Sequence, residues 1–282
     1  MIEQSFEAYR NDPCMNASTI VHGFHSLKRL KRAIDGSERP ATPEMIFGQM
    51  YHCAILEPEQ FKATYQVLPD FKSHPDNKKA DGERSFNSTK WSKAQTEKWL
   101  QENGDPITQD ELSRIDSIVD SLRSHDSITE ILRQSRKEVT LHGKICHTEF
   151  KARVDLLDLD GEWGITDLKG TNDVSPWKFG SLACRLHYPE RLAIYRKLAE
   201  QEFGRVLPVH IAAVETDGDF DRALFPIREP ILDHAFSRVS RLVLEYEDAM
   251  KSGKWPGIDK GAPIVEFAVP NHWMPAEEMD WS

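Results

Sequence analysis

Asp155, Asp167 and Lys169 are the residues of this chain whose types and spacing could do chemistry together. Asp167 and Lys169 are two apart, so on a strand both project from one face. A carboxylate and an ammonium side by side on an apolar strand are expensive to desolvate. A divalent cation and a phosphate would give that arrangement a use. A hard cation takes carboxylate oxygens as ligands. It acidifies a bound water and shields the charge of a phosphate. A lysine beside that water can orient it or stabilise charge in the transition state. Gly170 and Thr171 follow directly, a pair suited to close approach of backbone to phosphate. The competing reading of Asp-x(11)-Asp-x-Lys is a surface salt bridge on an acidic hairpin.

These residues need two strands to hold them. Residues 151–169 read as a hairpin, with Val154, Leu156 and Leu157 on one strand and Trp163 and Ile165 on the other. Asp160-Gly161 is the turn signal between them. A two-residue loop there would set Val154 opposite Asp167 and turn Asp155 to the wrong face. A shared face requires an odd loop count or a bulge. Glu138 lies on a strand just before, 138–142, with Gly143-Lys144 expected as its turn. From there it could ligate a second ion or position a water. His52 lies far upstream, in a helix opened by Thr42-Pro43-Glu44 and stopped at Pro58. Met45, Ile46, Met50, Tyr51, Ala54 and Ile55 make that helix apolar. By composition alone His52 reads as a core histidine, with metal ligation as the alternative.

The rest of the pattern is a frame. A basic helix is expected over 21–39, with Lys28, Arg29, Lys31 and Arg32 beside Leu27, Leu30 and Ile34, and with Gly36 ending it. Its basic face is either solvated or a phosphate contact. Residues 66–90 read as a mobile polar loop. Helices follow at 89–102, 108–123 and 127–134, the second with the capping box Thr108–Glu111. After the hairpin come a helix from Ser175-Pro176, a helix 189–203 closed by Gly204, strands at 206–215 and 220–227, and a long helix 230–251. The order gives a mixed α/β core behind a helical N-terminal part. Trp91 and Trp99 read as packing; Trp177 and Phe179 could wedge between nucleic acid strands. His142, His147 and His187 read as surface residues or supports of the site.

Bulk properties bound the partners. The chain has 282 residues, enough for one large domain. The expected division is 1–135 mainly helical, 136–252 carrying the sheet, and 253–282 as a tail. A formal charge of −10 excludes a surface that is basic throughout, not a local basic groove. The cysteines, Cys14, Cys53, Cys146 and Cys184, stand singly and do not suggest a zinc or iron–sulfur site. No apolar run approaches the roughly 18 residues of a membrane span. The start Met1-Ile2-Glu3-Gln4 lacks the pattern of a signal peptide. A cytoplasmic protein with no membrane contact is expected.

Several blocks together carry a resemblance. They are Phe47-Gly48-Gln49-Met50-Tyr51-His52 with Leu56-Glu57-Pro58 and Phe61, then Glu138-Val139, Arg153-Val154-Asp155 and Thr166-Asp167-Leu168-Lys169, then His187-Tyr188 with Tyr195. The chain resembles the RecE-type exonuclease VIII family of the PD-(D/E)XK nucleases, from about residue 15 to Trp255-Pro256-Gly257 and Val269-Pro270. The resemblance implies a restriction-endonuclease-like core of a mixed central sheet flanked by helices. It implies a Mg²⁺-dependent 5′→3′ exodeoxyribonuclease acting on linear double-stranded DNA, with Mn²⁺ as a possible substitute. The products would be 5′-mononucleotides and 3′ single strands, passed to a RecT-like annealing recombinase. It also implies a homo-oligomeric ring, a tetramer before a trimer, with a basic channel inside an acidic exterior.

By that resemblance His52, Asp155, Asp167 and the Leu168 carbonyl match metal ligands, Lys169 the catalytic lysine, and Glu138 a nearby acidic position. Lys28, Arg29, Lys31, Arg32, Thr171, Arg191 and Tyr195 are the candidate DNA contacts. Arg191 is a departure, since related nucleases often carry Gln four residues before the tyrosine that Tyr195 matches. The rival expectations are an endonuclease of the same superfamily and a catalytically silent DNA-binding relative.

Overall fold

The computed structural model describes residues 6–36 and 41–265. Val269-Pro270 and the aromatic C-terminal end therefore lie outside the described residues. The helices are α1 (Phe6–Asn11), α2 (Ala17–Ile20), α3 (Leu27–Ile34), α4 (Pro43–Leu56), α5 (Pro58–Thr64), α6 (Lys90–Glu102), α7 (Gln109–Arg123), α8 (Asp126–Gln134), α9 (Pro176–Arg185), α10 (Tyr188–Phe203) and α11 (Glu229–Ser252). The strands are β1 (Met15–Asn16), β2 (Tyr65–Val67), β3 (Asp105–Ile107), β4 (Arg136–Ile145), β5 (Thr148–Asp158), β6 (Gly164–Thr171), β7 (Val209–Glu215) and β8 (Arg222–Pro226).

Helix starts follow side-chain caps that the sequence spells out. Asn16, Ser26, Thr42, Thr89 and Thr108 each accept a backbone N–H of the first turn. Thr108 and Glu111 form the expected capping box. Pro58 both ends α4 and opens α5. The basic helix is shorter than its pattern suggests. A 3-10 turn at Val21–Phe24 precedes it, and it stops at Ile34, two residues before Gly36 at φ +72°.

The main sheet runs β1-β5-β6-β7-β8, with β4 on the other edge of β5. It is mixed: β6 and β7 are parallel, while the β4–β5, β5–β6 and β7–β8 pairs are antiparallel. One core packs it against α10 and α11 through Leu192, Leu198, Val239 and Val243. A second core packs its other face against α4, α7 and α8 through Tyr51, Ile118 and Ile131. These are the central mixed sheet and flanking helices expected of the fold class.

Two local expectations change, and one pair of strands is new. The turn expected at Gly143-Lys144 is strand: β4 continues to Ile145, and the chain reverses at Cys146, φ +52°. Gly143 is required by packing instead, because a Cβ there would lie 2.3 Å from Gln201 Oε1 and 2.9 Å from Leu198 Cδ2. The polar stretch 66–90 ends β2, folds back on itself and runs into the start of α6. Fully buried Asn77 holds it, with Nδ2 bonding to the carbonyls of Lys72, Ser85 and Asn87. β2 and β3, a short parallel pair, carry no sequence signal strong enough to expect them.

Candidate active site

The hairpin register decides the geometry. β5 and β6 pair Leu156 with Thr166, Leu157 with Ile165 and Asp158 with Gly164. Five residues, 159–163, therefore form the loop, an odd count, and the next pair in register is Asp155 with Asp167. Asp158 shapes this loop by accepting the amides of Gly161 at 2.9 Å and Trp163 at 3.2 Å. The ladder stops one pair short of the two aspartates. Beyond it, Asp155 Oδ2 accepts the Leu168 amide at 2.8 Å in place of a strand carbonyl. β6 goes on to pair with β7 while β1 takes up the same edge of β5 further along, at Phe150 and Lys151.

A second irregularity faces the first. The β4–β5 ladder pairs Lys137 with Leu156 and Val139 with Val154, and omits the Glu138–Asp155 pair between them. Glu138 has φ +54°, a conformation costly for a side chain other than glycine. Along β5, Phe150, Ala152 and Val154 contact the first core, Leu156 the second and Leu157 the first again. The alternation slips at Asp155. Glu138, Asp155 and Asp167 are thus set side by side on neighbouring strands at the point where both ladders break.

Each helical layer adds residues. From α4, His52 Nδ1 lies 3.9 Å from Asp155 Oδ2, and the ring also bonds to the Leu168 backbone. Lys169 Nζ pairs with Asp167 and donates to the Leu168 carbonyl at 2.9 Å. From α10, the Tyr188 ring lies 5.4 Å from Lys169 Nζ and 5.9 Å from Arg191 Cζ. Arg191 also bonds to Tyr195, and its charge reaches Asp167. The departure expected at Arg191 therefore puts a cation beside the Asp167–Lys169 pair.

The carboxyls are tuned apart. Burial pushes both aspartates up. At Asp167 the charges of Lys169 and Arg191 overcome it and hold the group below its usual range. Asp155 stays above its usual range, through burial and then the charge of Asp167. Glu138 is pushed up to about 7 by burial and by Asp155, against the pull of its partner Arg153. Burial lowers the pKa of His52, which favours a neutral imidazole with a lone pair to offer.

This donor set suits a divalent cation: two carboxylates, a neutral imidazole and the Leu168 carbonyl. Glu138 and Asp167 each pair with a cation, while Asp155 accepts the Leu168 amide, lies 3.9 Å from His52 and feels the charge of Lys169 without an ion pair to it among the described residues. Among the described residues no three His, Cys, Asp or Glu side chains already converge at metal-ligand spacing. Lys169 holds Asp167, so filling the site would require that pair to loosen.

The remaining candidates lie elsewhere. Lys28, Arg29 and Arg32 are exposed on α3; Lys31 pairs with Asp35 at 2.5 Å and lies 5.7 Å from the centre of the Trp255 ring. α3 borders a cavity of about 620 Å³ that also takes in Phe24, Arg238, Arg241, Lys254 and Lys260. Thr171 is buried and bonded to the Asp173 backbone, so its hydroxyl serves the loop after β6. Gly170 leaves room for Tyr51, whose hydroxyl would lie 2.5 Å from a Cβ there. Phe179 is buried and stacked on Phe225 at 5.1 Å, which removes it as a wedge. His142 bonds to Asp12, His147 to Glu247, and His187 stacks on Phe24 at 4.8 Å. Sequence reasoning missed Arg153, Tyr51 and Tyr188 as parts of the site. Arg153 was available from spacing, since it stands two residues before Asp155.

A mixed sheet whose strands part at two facing aspartates, with a lysine two residues on, defines a PD-(D/E)XK nuclease-like protein. The family comparison agrees. Residues 24–262 match the model described as a PDDEXK-like domain of unknown function (DUF3799), and the chain belongs to that family. A crystal structure of a protein from Eubacterium rectale, described as a candidate exonuclease, aligns with a TM-score of 0.64 at 14% identity, covering 96% of this chain and 97% of that one. The structure of SSO0001 aligns over 73% of this chain and 87% of that one at 13% identity, with a TM-score of 0.30. No curated protein matches in sequence. Among the described residues no helix is long and apolar enough to cross a membrane.

Proposed function

We propose that this protein is a divalent-metal-dependent exodeoxyribonuclease that degrades one strand of linear duplex DNA from its 5′ end. The observation that carries the reading is the register setting Asp155 opposite Asp167, with Lys169 two residues on. His52, Asp155, Asp167 and the Leu168 carbonyl would hold the metal, Mg²⁺ before Mn²⁺. A divalent cation bound there supplies charge neutralisation and Lewis acidity at the scissile phosphate. Lys169 orients the attacking water and stabilises the charge that develops on the phosphoryl oxygens. Arg191 adds a second positive charge on the same side. Glu138, pushed up to about 7, can take a proton near neutral pH.

The likeness to the Eubacterium rectale protein supports an exonuclease over an endonuclease. The RecE-type resemblance supports 5′→3′ polarity, mononucleotide products, a ring of copies, a tetramer before a trimer, and delivery of 3′ strands to an annealing recombinase.

The test uses linear duplex labelled at the 5′ or the 3′ end, a covalently closed circle, and Mg²⁺. Early release of the 5′ label with the circle intact is expected. Cutting of the circle would favour the endonuclease. Lys169→Ala should lower the hydrolysis rate by about 10²–10³-fold while leaving duplex binding in place, on the scale of losing one transition-state donor. Wild-type turnover in that variant would remove Lys169 from the mechanism.

A further inference from the structure

The chain from Thr171 to Tyr188 is an excursion whose two ends meet at the catalytic lysine. It leaves two residues after Lys169 and returns with the Tyr188 ring 5.4 Å from Lys169 Nζ. Between them lies α9, which exposes most of its surface. Trp177, at its second position, is 81% exposed, although tryptophan is on average highly buried.

The platform under this indole is built rigidly. Thr171 Oγ1 donates to the Asp173 carbonyl at 3.1 Å. Asp173 accepts the Ser175 amide at 2.8 Å and Lys178 Nζ at 2.6 Å. The Val174 amide donates to Glu215 at 3.3 Å. Phe179, stacked on Phe225, fixes the helix from below. The indole itself has been left outside all of this.

The carboxylate of this platform is answered by a lysine, and one further cation stands at the end of α9. Lys178 and Arg185 are exposed on α9, and Lys178 neutralises Asp173. The catalytic carboxylates, in contrast, are recessed, with Asp167 only 4% exposed. A strand still paired and stacked in a duplex has its phosphates held at the duplex radius, away from such a recess. The terminal nucleotide must leave its partner to reach them, and the bare face of the next base pair then needs a cover. An indole stacks on any base without reading its sequence.

We propose that Trp177 is a strand-separating stack: its indole covers the exposed face of the base pair at the duplex end while the freed 5′ strand enters the site. This rests on the nuclease reading, and the test keeps the two apart. Wild type, Trp177→Ala and Trp177→Phe are given three substrates in Mg²⁺: a blunt duplex, the same duplex with two unpaired terminal positions, and the single strand. Trp177→Ala should degrade the blunt duplex at least tenfold more slowly and the other two within twofold of wild type. Trp177→Phe should recover most of the loss. In EDTA, a blunt duplex with 2-aminopurine as its 5′-terminal base, the one the proposal unstacks, should brighten on binding wild type and not on binding Trp177→Ala.

Equal rates on blunt and unpaired ends in Trp177→Ala, whether both unchanged or both reduced, overturn the proposal. So does a change in sedimentation of the DNA-free protein, which would make the indole a contact between copies. Should wild type cut no substrate, the nuclease reading fails alone. The 2-aminopurine signal then decides: brightening that needs Trp177 upholds the stack, and its absence with wild type ends it.

Discussion

Among the described residues, Asp155 has no Lys or Arg ion-pair partner, unlike each neighbouring carboxylate. Arg153 serves Glu138 and Lys169 serves Asp167, while Asp155 depends on the Leu168 amide and a histidine 3.9 Å away. Its pKa is raised accordingly, by burial and then by Asp167. A carboxyl whose folded pKa lies above its unfolded value gives stability below the unfolded pKa and loses it as pH rises through the folded one. Near neutral pH the ionised group therefore costs stability unless a cation answers it. Asp155→Asn should raise the urea midpoint of the metal-free protein in EDTA at pH 8, with the gain shrinking toward pH 4. The same variant should lose the Mg²⁺ binding that titration calorimetry detects in wild type. A lower midpoint at pH 8 would mean that the Leu168 bond outweighs the buried charge. Of this site, the two aspartates and the lysine were legible because spacing on a strand fixes which side chains share a face. Arg153 could have been read from the same spacing, two residues before Asp155; Tyr188 could not, because it reaches Lys169 from α10 and no strand period records a helix packed over the sheet.

The elements divide between those written locally and those written by contact. Caps, prolines and apolar stripes announce helices, so α4, α6, α7, α8 and α11 fall close to expectation. Turns are harder, because glycine answers to two different demands. Gly143 looks like a hairpin turn and is instead a place where α10 comes close to β4. Gln201 there accepts the Lys144 amide at 2.9 Å and donates to the Lys144 carbonyl at 2.7 Å. A methyl group at Gly143 would displace that clamp and press on Leu198. Gly143→Ala should therefore destabilise the protein by about 1–3 kcal/mol, the usual range for overpacking, read from the denaturant midpoint. A turn glycine with free space would show almost none of this. The loop 66–90 teaches the same lesson. Its polar composition suggests mobility, and one buried asparagine reaching three carbonyls ties it together. No periodicity records such a contact.

At the scale of the whole molecule, the proposed activity on DNA asks how a chain of charge −10 would grip a polyanion. The cations at the carboxylates are engaged: Arg153 with Glu138, Lys169 with Asp167, and Arg191 with Tyr195. On the proposed function, affinity for duplex would then come from positive charge elsewhere. Lys28, Arg29 and Arg32 are exposed on α3, whose first residue, Leu27, lines a cavity that takes in Arg238, Arg241, Lys254 and Lys260 together with Glu245 and Asp248. Phe24 lines that cavity and stacks on His187, next to Tyr188, so this cavity, whose four cations outnumber its two carboxylates, adjoins the residues that flank Lys169. Each phosphate contact to a cation contributes about 0.9 to the slope of log K against log salt. Replacing Lys28 and Arg32 together by Ala should lower the slope for duplex binding by up to about 1.8, alike for any sequence. Fluorescence anisotropy in EDTA across a salt series measures this without hydrolysis. An unchanged slope would leave α3 on the acidic exterior. The duplex track would then have to be sought on α9 and on the face of α10 around Arg191.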